Sequence, residues 1–482
     1  MERVARRTPQ RLFARGAETV LDFVRDKFFA ITGVLLAYVL GQQIVNPQTR
    51  VIKAAVGLFV LLLLMLAPSA FGLSFFLVMF PFPADTTYGS SNTMLIFIIA
   101  IFWLLRVSTG EFSIRGNSGF EGFILAMIIT LCVSLYNAPD AVWRMKGVIT
   151  LFFYFSAFIL FYLTNNLVND VADLKRVTLA LTVSALLVFL TVLVEVFLPN
   201  ATIIPGWIGM TYTYGTYEGR RMGGVVGGHD VLADICVLMF PLLLFRFYRA
   251  STLPRRLFYV GVMVLDLFSL VATANRGGLI GLVFSSAYLI WISRREFKIV
   301  RFTLVFIALT ASFLFFDHYI SSSQGGASLI DRTLHTKSKG FVPETREDVW
   351  EGGWAGFKKH MFLGNGPWFD SQVIPQTHNG FLWSLVCVGI IGTIPWVLFL
   401  LKMIRETGRR VVGHYEEGGY ASGLLTVIHV QLVTFVLVQL RTDYQRSPSY
   451  VYVMWFTFGL AIVVMRLLDA EKEAEKEHEP TA

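Results

Sequence analysis

Charge is what this sequence has least of: Asp, Glu, Lys and Arg make up 15% of its 482 residues, against roughly 25% in soluble domains. That shortage excludes an ordinary soluble enzyme, and the 55% of hydrophobic residues, 43 of them Phe, points to a chain solvated by lipid. Cysteine is scarce as well. Cys132, Cys236 and Cys387 each fall inside an apolar run, which excludes a disulfide framework and a thiolate metal site. The eight histidines show no metal-ligand spacing, so no metal and no cofactor is expected. The first 27 residues are basic and lack a cleavable apolar core, so the first membrane helix is expected to serve as the targeting signal. No internal repeat stands out.

What is present is a series of apolar runs, each long enough to cross a bilayer at about 17 to 25 residues. The expected fold is an all-α polytopic integral membrane protein with about 12–14 transmembrane helices. The short run 68–82, ending in Pro81-Phe82-Pro83, is the one that can fold back as a re-entrant segment. The expected layout is a cytoplasmic N-terminus 1–27, eleven helices over 28–317, three more over 378–467, and a cytoplasmic tail 468–482 that is solvated and partly disordered. With the N-terminus inside, Lys and Arg gather on the cytoplasmic side, as the positive-inside rule requires. Two outer segments, 199–228 and 318–377, are longer than plain connections, and loops of that length bind or catalyse.

Basic residues that stay on the outer side need a reason. Arg220 and Arg221 precede the glycine-rich stretch Gly223 to Gly228, after which His229-Asp230 opens a span. Arg276, followed by Gly277-Gly278, joins two spans across almost no loop, and Arg346 starts a stretch with helical spacing. A lone interfacial Arg can be a snorkelling anchor against lipid phosphate. The alternative is an anion site. The spans opening at 229, 277 and 378 all begin on this outer side, so their free N–H groups and positive dipole ends point toward these arginines. Glycine or His-Asn at each start lets a ligand approach the backbone, and arginine pairs with a diphosphate in a bidentate way.

In the large outer segment, Trp350, Trp354, Phe357 and Met361 recur at the spacing of one helical face. This predicts an amphipathic helix lying at the membrane surface, capped by Thr345. Trp350, Trp354 and Trp368 are either buried or available to stack on sugar rings. His378-Asn379 then opens a span, and an imidazole with its near-neutral pKa suits proton abstraction from a hydroxyl. Glu344, Glu347 and Asp348 are rival bases. Glu195 and Asp266 are carboxylates within spans; the first lies near the outer end, and the second has no role assigned by the pattern.

Taken in order, Arg221-Met222-Gly223, Arg276-Gly277, Arg346 to Trp350, Gly364-Asn365-Gly366-Pro367, and His378-Asn379 with Gly389 and Gly392 resemble the landmarks of the O-antigen ligase and O-antigen polymerase family. The resemblance covers roughly 200 to 405, and it departs from the family at Asn275, where Ser is frequent, and at His229, where Asn is common. It implies a fold of the integral-membrane (GT-C) glycosyltransferase type in the bacterial inner membrane. It also implies metal-independent transfer on the periplasmic side from an undecaprenyl-diphosphate-linked glycan donor, and a histidine base acting on the acceptor hydroxyl leads to the expectation of an inverting transfer. The acceptor is lipid A-core for a ligase or a lipid-linked glycan for a polymerase. Lipopolysaccharide or exopolysaccharide assembly proteins are implied partners alongside membrane lipids, and nucleic acid is not. By the resemblance, Arg276, Arg346 and His378 are catalytic, while the outer-side charge and aromatic pattern assigns Arg220, Arg221, Asn379 and Trp350 to substrate binding. A transporter or lipid-linked glycan flippase is the other class that fits many spans, although such proteins place their charges near the midplane.

Overall fold

The computed structural model describes residues 69–82, 90–115, 118–198, 213–216, 219–226, 228–293, 299–323, 325–334, 338–339, 342–343, 347–367, 377–413, 419–443 and 447–478. The basic N-terminus, the expected spans at 28–45 and 51–66, Arg346 and Trp368 lie outside the described residues.

The chain is all-α and polytopic. In lipid every backbone N–H and C=O must be satisfied within its own segment, so apolar runs of this length become helices. They are α1 (Ser69–Met79), α2 (Ser90–Ser108), α3 (Glu121–Ser134), α4 (Ala141–Leu167), α5 (Val171–Phe197), α6 (His229–Arg249) and α7 (Leu253–Ala272). There follow α8 (Arg276–Ser293), α9 (Ile299–Ser323), the short α10 (Leu329–Leu334), α11 (Glu347–Lys359), α12 (Gly380–Gly413), α13 (Tyr420–Gln439) and α14 (Pro448–His478). Two antiparallel hairpins, β1 (Thr213–Thr216) with β2 (Gly219–Met222) and β3 (Ser338–Lys339) with β4 (Val342–Pro343), and two 3-10 turns, Leu135–Asn137 and Gly224–Val226, complete the described elements. Among the described residues, seven helices (α4, α5, α6, α8, α12, α13 and α14) are long and apolar enough to span a membrane.

α14 lies deepest, packed on α4 and α13. Gly459 makes the α14–α4 contact close, since a Cβ there would press on Thr164 and on the Phe161 carbonyl. Tyr452 fixes the same layer, its hydroxyl 2.9 Å from Ser156 Oγ and 3.0 Å from Thr93 Oγ1, which joins α14, α4 and α2. α13 is tied to α6 by Gln431 Nε2 donating to the Leu238 carbonyl at 2.7 Å. Such interhelical hydrogen bonds in lipid contribute about 0.6 kcal/mol each, so packing dominates. Its centre is an aromatic cluster, with Phe399 and Phe458 ring centroids 5.1 Å apart and Trp455 5.4 Å from each.

Three features differ from the sequence expectation. α9 continues to Ser323, past the expected loop start at 318, because buried Asp317 accepts from Leu329 N at 2.6 Å and Ser328 Oγ at 2.7 Å and so carries the helix into the turn. The tail is not disordered over its described length: α14 runs unbroken to His478, helped by strong helix formers and by Asp469 clamping Arg410 at 2.8 and 3.1 Å. Finally, α12 is interrupted at Gly389, whose φ of 65° and ψ of −168° break the helix inside the span.

Candidate functional site

The break in α12 has a partner. After α11 the chain turns through Gly364 and Gly366, both at positive φ, and docks its backbone on the interrupted helix. Asn365 N donates to the Val386 carbonyl and Gly366 N to Cys387, both at 2.9 Å, while Ile390 N donates to Met361 at 2.9 Å. Non-helical backbone at this depth is tolerated where protein satisfies it. A Cβ on Gly364 would collide with the Cys387 carbonyl, and one on Gly389 with the Phe362 carbonyl. Asn365 Nδ2 adds bonds to Gly356 and Val386. Gly364, Gly366 and Gly389, three of the landmark glycines of the sequence, are therefore two halves of one joint. The joint holds α11 against α12, where Gly353 lets the helix approach Leu382 and Thr377.

α11 is amphipathic, as expected, but its apolar face divides. Phe357 is buried with Gly353, Trp350 is half-buried against the core, and Trp354 and Met361 are exposed. The indole N–H of Trp350 is shut off from solvent and finds no hydrogen-bond partner among the described residues.

The starts of α6, α8 and α12 meet at one end of the bundle, with the end of α13 beside them. Asp230, in the first turn of α6, accepts from Asn275 Nδ2 just ahead of α8. His229 Nε2 stands 3.4 Å from the same carboxylate oxygen and Arg221 Nη2 3.9 Å from it. Arg221 Nε donates to the Thr273 carbonyl at 3.0 Å, which pins β2 to the end of α7. Arg276 Nη1 donates to the Arg332 carbonyl at 3.0 Å, and Arg332 Nη1 returns a bond to the Ala274 carbonyl at 2.7 Å. His378 is close enough for its charge to act on both His229 and Asp230. Asn379 caps α12, its Oδ1 accepting from Phe381 N at 3.1 Å and Leu382 N at 3.0 Å, as short polar side chains do at helix starts. Its Nδ2 reaches the Leu440 carbonyl at 3.3 Å.

Of the expected residues, Arg221 and His378 thus lie about Asp230, while Arg276 directly follows Asn275 and is held by the Arg332 carbonyl, and Asn379 caps α12. Arg220 is near but faces elsewhere: its backbone pairs with Gly325 and Ala327, and its guanidinium reaches the Glu195 carbonyl at 3.4 Å. Trp350 lies on the helix docked against α12 rather than in this cluster. Arg346 falls immediately ahead of α11, outside the described residues.

The glycines at the helix starts are filled by protein. Gly277 is where the Arg441 side chain passes, and Gly278 is where α8 meets Ala233 of α6. Gly224 lies against Thr191 and Val192 of α5, with its N–H given to Glu195 Oε2 at 2.9 Å. Glu195 is thereby spent on holding the glycine-rich segment. Asp266, fully buried, faces the Cys236 thiol between α7 and α6.

Arg441 is the residue that sequence reasoning passed over. Its Nη1 donates to Asn275 Oδ1 at 3.0 Å, and its Nη2 pairs with Asp234, which is wholly buried one turn below Asp230. The signal was present: Asp230 and Asp234 share a helix face at i, i+4, and an acid inside a span calls for a cation.

Only two non-glycine residues among those described have positive φ, and both belong to this end: Ala274 and His378, each at 47°. Each immediately precedes a residue that caps a helix, Asn275 for α8 and Asn379 for α12. Backbone strain of this kind costs about 1–3 kcal/mol and collects at functional sites.

The arrangement brings several cations and an imidazole to the starts of three helices, of which α8 and α12 are capped by Asn275 and Asn379. Among the described residues no cluster of His, Cys, Asp and Glu could hold a metal ion. No curated protein matches the chain. The segment from α7 through the Gly389 break, residues 261–397, matches the family model described as O-Antigen ligase.

Proposed function

We propose that the protein is a membrane glycosyltransferase that moves a glycan from an undecaprenyl-diphosphate carrier to an acceptor sugar hydroxyl on the periplasmic side. The observation that carries the reading is the placing of Arg221 and His378 about Asp230, with Arg276 directly after Asn275, the residue bonded to that carboxylate, at the starts of α6, α8 and α12. The guanidinium groups and helix N-termini grip the diphosphate, and Arg346 is assigned to the same duty by the family resemblance alone. His378 takes the proton from the acceptor hydroxyl, whose oxygen forms the new bond to the anomeric carbon as the bond from that carbon to the diphosphate oxygen breaks. The diphosphate leaves with the electron pair, and the configuration inverts. Charge develops on the leaving oxygen, where a positioned donor is worth about 2.7–4 kcal/mol. Asp230, held by Asn275, supports the imidazolium that forms.

Membranes holding the wild-type protein, supplied with labelled donor and either lipid A-core or a second lipid-linked glycan, test the reading and identify the acceptor. Arg276→Ala is expected to lower product about 100-fold or more at unchanged membrane content. Full activity in both Arg276→Ala and His378→Ala contradicts the reading.

A further inference from the structure

The short helix α10 is held from several sides. The chain leading into it pairs with β2 about Arg220, whose N donates to the Gly325 carbonyl at 3.0 Å and whose carbonyl accepts from Ala327 N at 3.0 Å. The Asp317 carboxylate then takes Leu329 N at 2.6 Å and Ser328 Oγ at 2.7 Å, which fixes the first turn. Isolated helices shorter than about 12–15 residues do not persist in water, so these bonds are what keep α10 in place.

Only one face of α10 meets the bundle. Leu329 is fully buried, whereas Asp331, Thr333 and Leu334 are exposed. Arg332 stands three residues after Leu329, shares its inward face and is half-buried.

From that face Arg332 meets the turn Thr273 to Arg276 in both directions. Its Nη1 donates to the Ala274 carbonyl at 2.7 Å, and its own carbonyl accepts from Arg276 Nη1 at 3.0 Å. The two bonds close a loop: α10 braces the turn, the turn carries Arg276, and the side chain of Arg276 is tied back to α10. Ala274 holds a φ of 47° at the middle of this loop. Such backbone persists only where its surroundings over-determine it, and here Arg221 Nε takes the Thr273 carbonyl at 3.0 Å while Arg332 takes the next one. The charge of Arg332 also acts on His229, which places the loop at the end where α6, α8 and α12 begin.

We infer that Arg332 is a positioning residue for Arg276: by bracing the Ala274 turn it keeps the α10 carbonyl against one edge of the Arg276 guanidinium, which is thereby oriented before the diphosphate arrives. The inference rests on the function proposed above. A long side chain ordered only on binding loses rotamer freedom at that step, and a bond that fixes it beforehand removes part of the loss. Arg332 then acts on the ligand through Arg276 and not by its own contact.

The test is a double-mutant cycle on purified full-length protein, titrated with glycan-free undecaprenyl diphosphate, with thermal midpoints to confirm folding. Arg332→Met keeps the stem and removes the donors, and it is expected to weaken binding about fivefold, against about tenfold for Arg276→Ala. The double variant should bind no more weakly than Arg276→Ala alone, since Arg332 has nothing left to position. Arg332→Gln, too short to reach Ala274, carries the same cycle if Arg332→Met does not fold. Full affinity in the folded Arg332 variant, or losses that add in the double variant, overturns the inference while a weakened Arg276→Ala leaves the proposed function standing. Undiminished binding in Arg276→Ala overturns both.

Discussion

Ala274 and His378 bear the clearest residue-scale constraint, since both hold left-handed backbone beside the helix starts where the arginines collect. Replacing Ala274 by Gly removes the steric penalty of the Cβ and is expected to leave the thermal midpoint in detergent unchanged or slightly raised. Ala274→Val adds a branched chain where there is no room and should lower stability by at least about 1–2 kcal/mol. Equal midpoints for the two variants would show that the turn is not constrained in this way. Residue identity at this scale was partly legible. Arg221, Arg276 and His378 stood out because charge is rare and because their positions in the chain fall at span boundaries. Arg441 did not, since its importance comes from Asp234 and Asn275, more than 160 positions away in sequence. No local pattern encodes a contact at that separation.

At the scale of elements, the joint between the Gly364–Gly366 turn and the Gly389 break decides where α11 sits. Hydropathy marked 378–401 as a single span, because a glycine that leaves the helical region keeps the apolar run intact. The break is visible only through the backbone groups that fill it. Gly364→Ala and Gly389→Ala each push a Cβ into the partner backbone and should release α11. Limited proteolysis between residues 360 and 377 is then expected to be faster, with the remaining helices protected. Gly261→Ala, whose Cβ meets open space in α7, is the matched control and should be neutral or stabilising by up to about 1 kcal/mol. Unchanged proteolysis in both joint variants would mean that α11 is held by its other contacts alone. The glycines after Arg276 carry a related lesson. Their spacing suggested room for a ligand, whereas Gly277 makes room for Arg441 and Gly278 for α6, so the same residue type serves packing first.

Across the whole molecule, fold class and the apolar helices α1 to α9 and α12 to α14 followed from composition and hydropathy, because lipid leaves the backbone few alternatives, whereas α11 came from its periodicity and the short α10 was not foreseen. Side assignment rests on a different quantity, the distribution of Lys and Arg, and is open to direct measurement. Tyr136, highly exposed, lies at the site end, where neighbouring Asn137 donates to the Gly364 carbonyl at 2.7 Å. Thr109 follows the other end of α2, exposed near Arg106. With the N-terminus cytoplasmic, a membrane-impermeant maleimide should label Tyr136→Cys in intact cells and Thr109→Cys only after permeabilisation. The reverse pattern would turn the proposed site toward the cytoplasm.

The central claim is that one end of this bundle grips a lipid diphosphate with arginine while an imidazole beside it handles the proton. Binding of glycan-free undecaprenyl diphosphate to the purified protein separates those two duties. The account predicts that Arg276→Ala weakens binding by about tenfold or more, the loss of one charge-assisted contact, while His378→Ala binds like wild type and forms no transfer product. Undiminished binding in folded Arg276→Ala protein would contradict it.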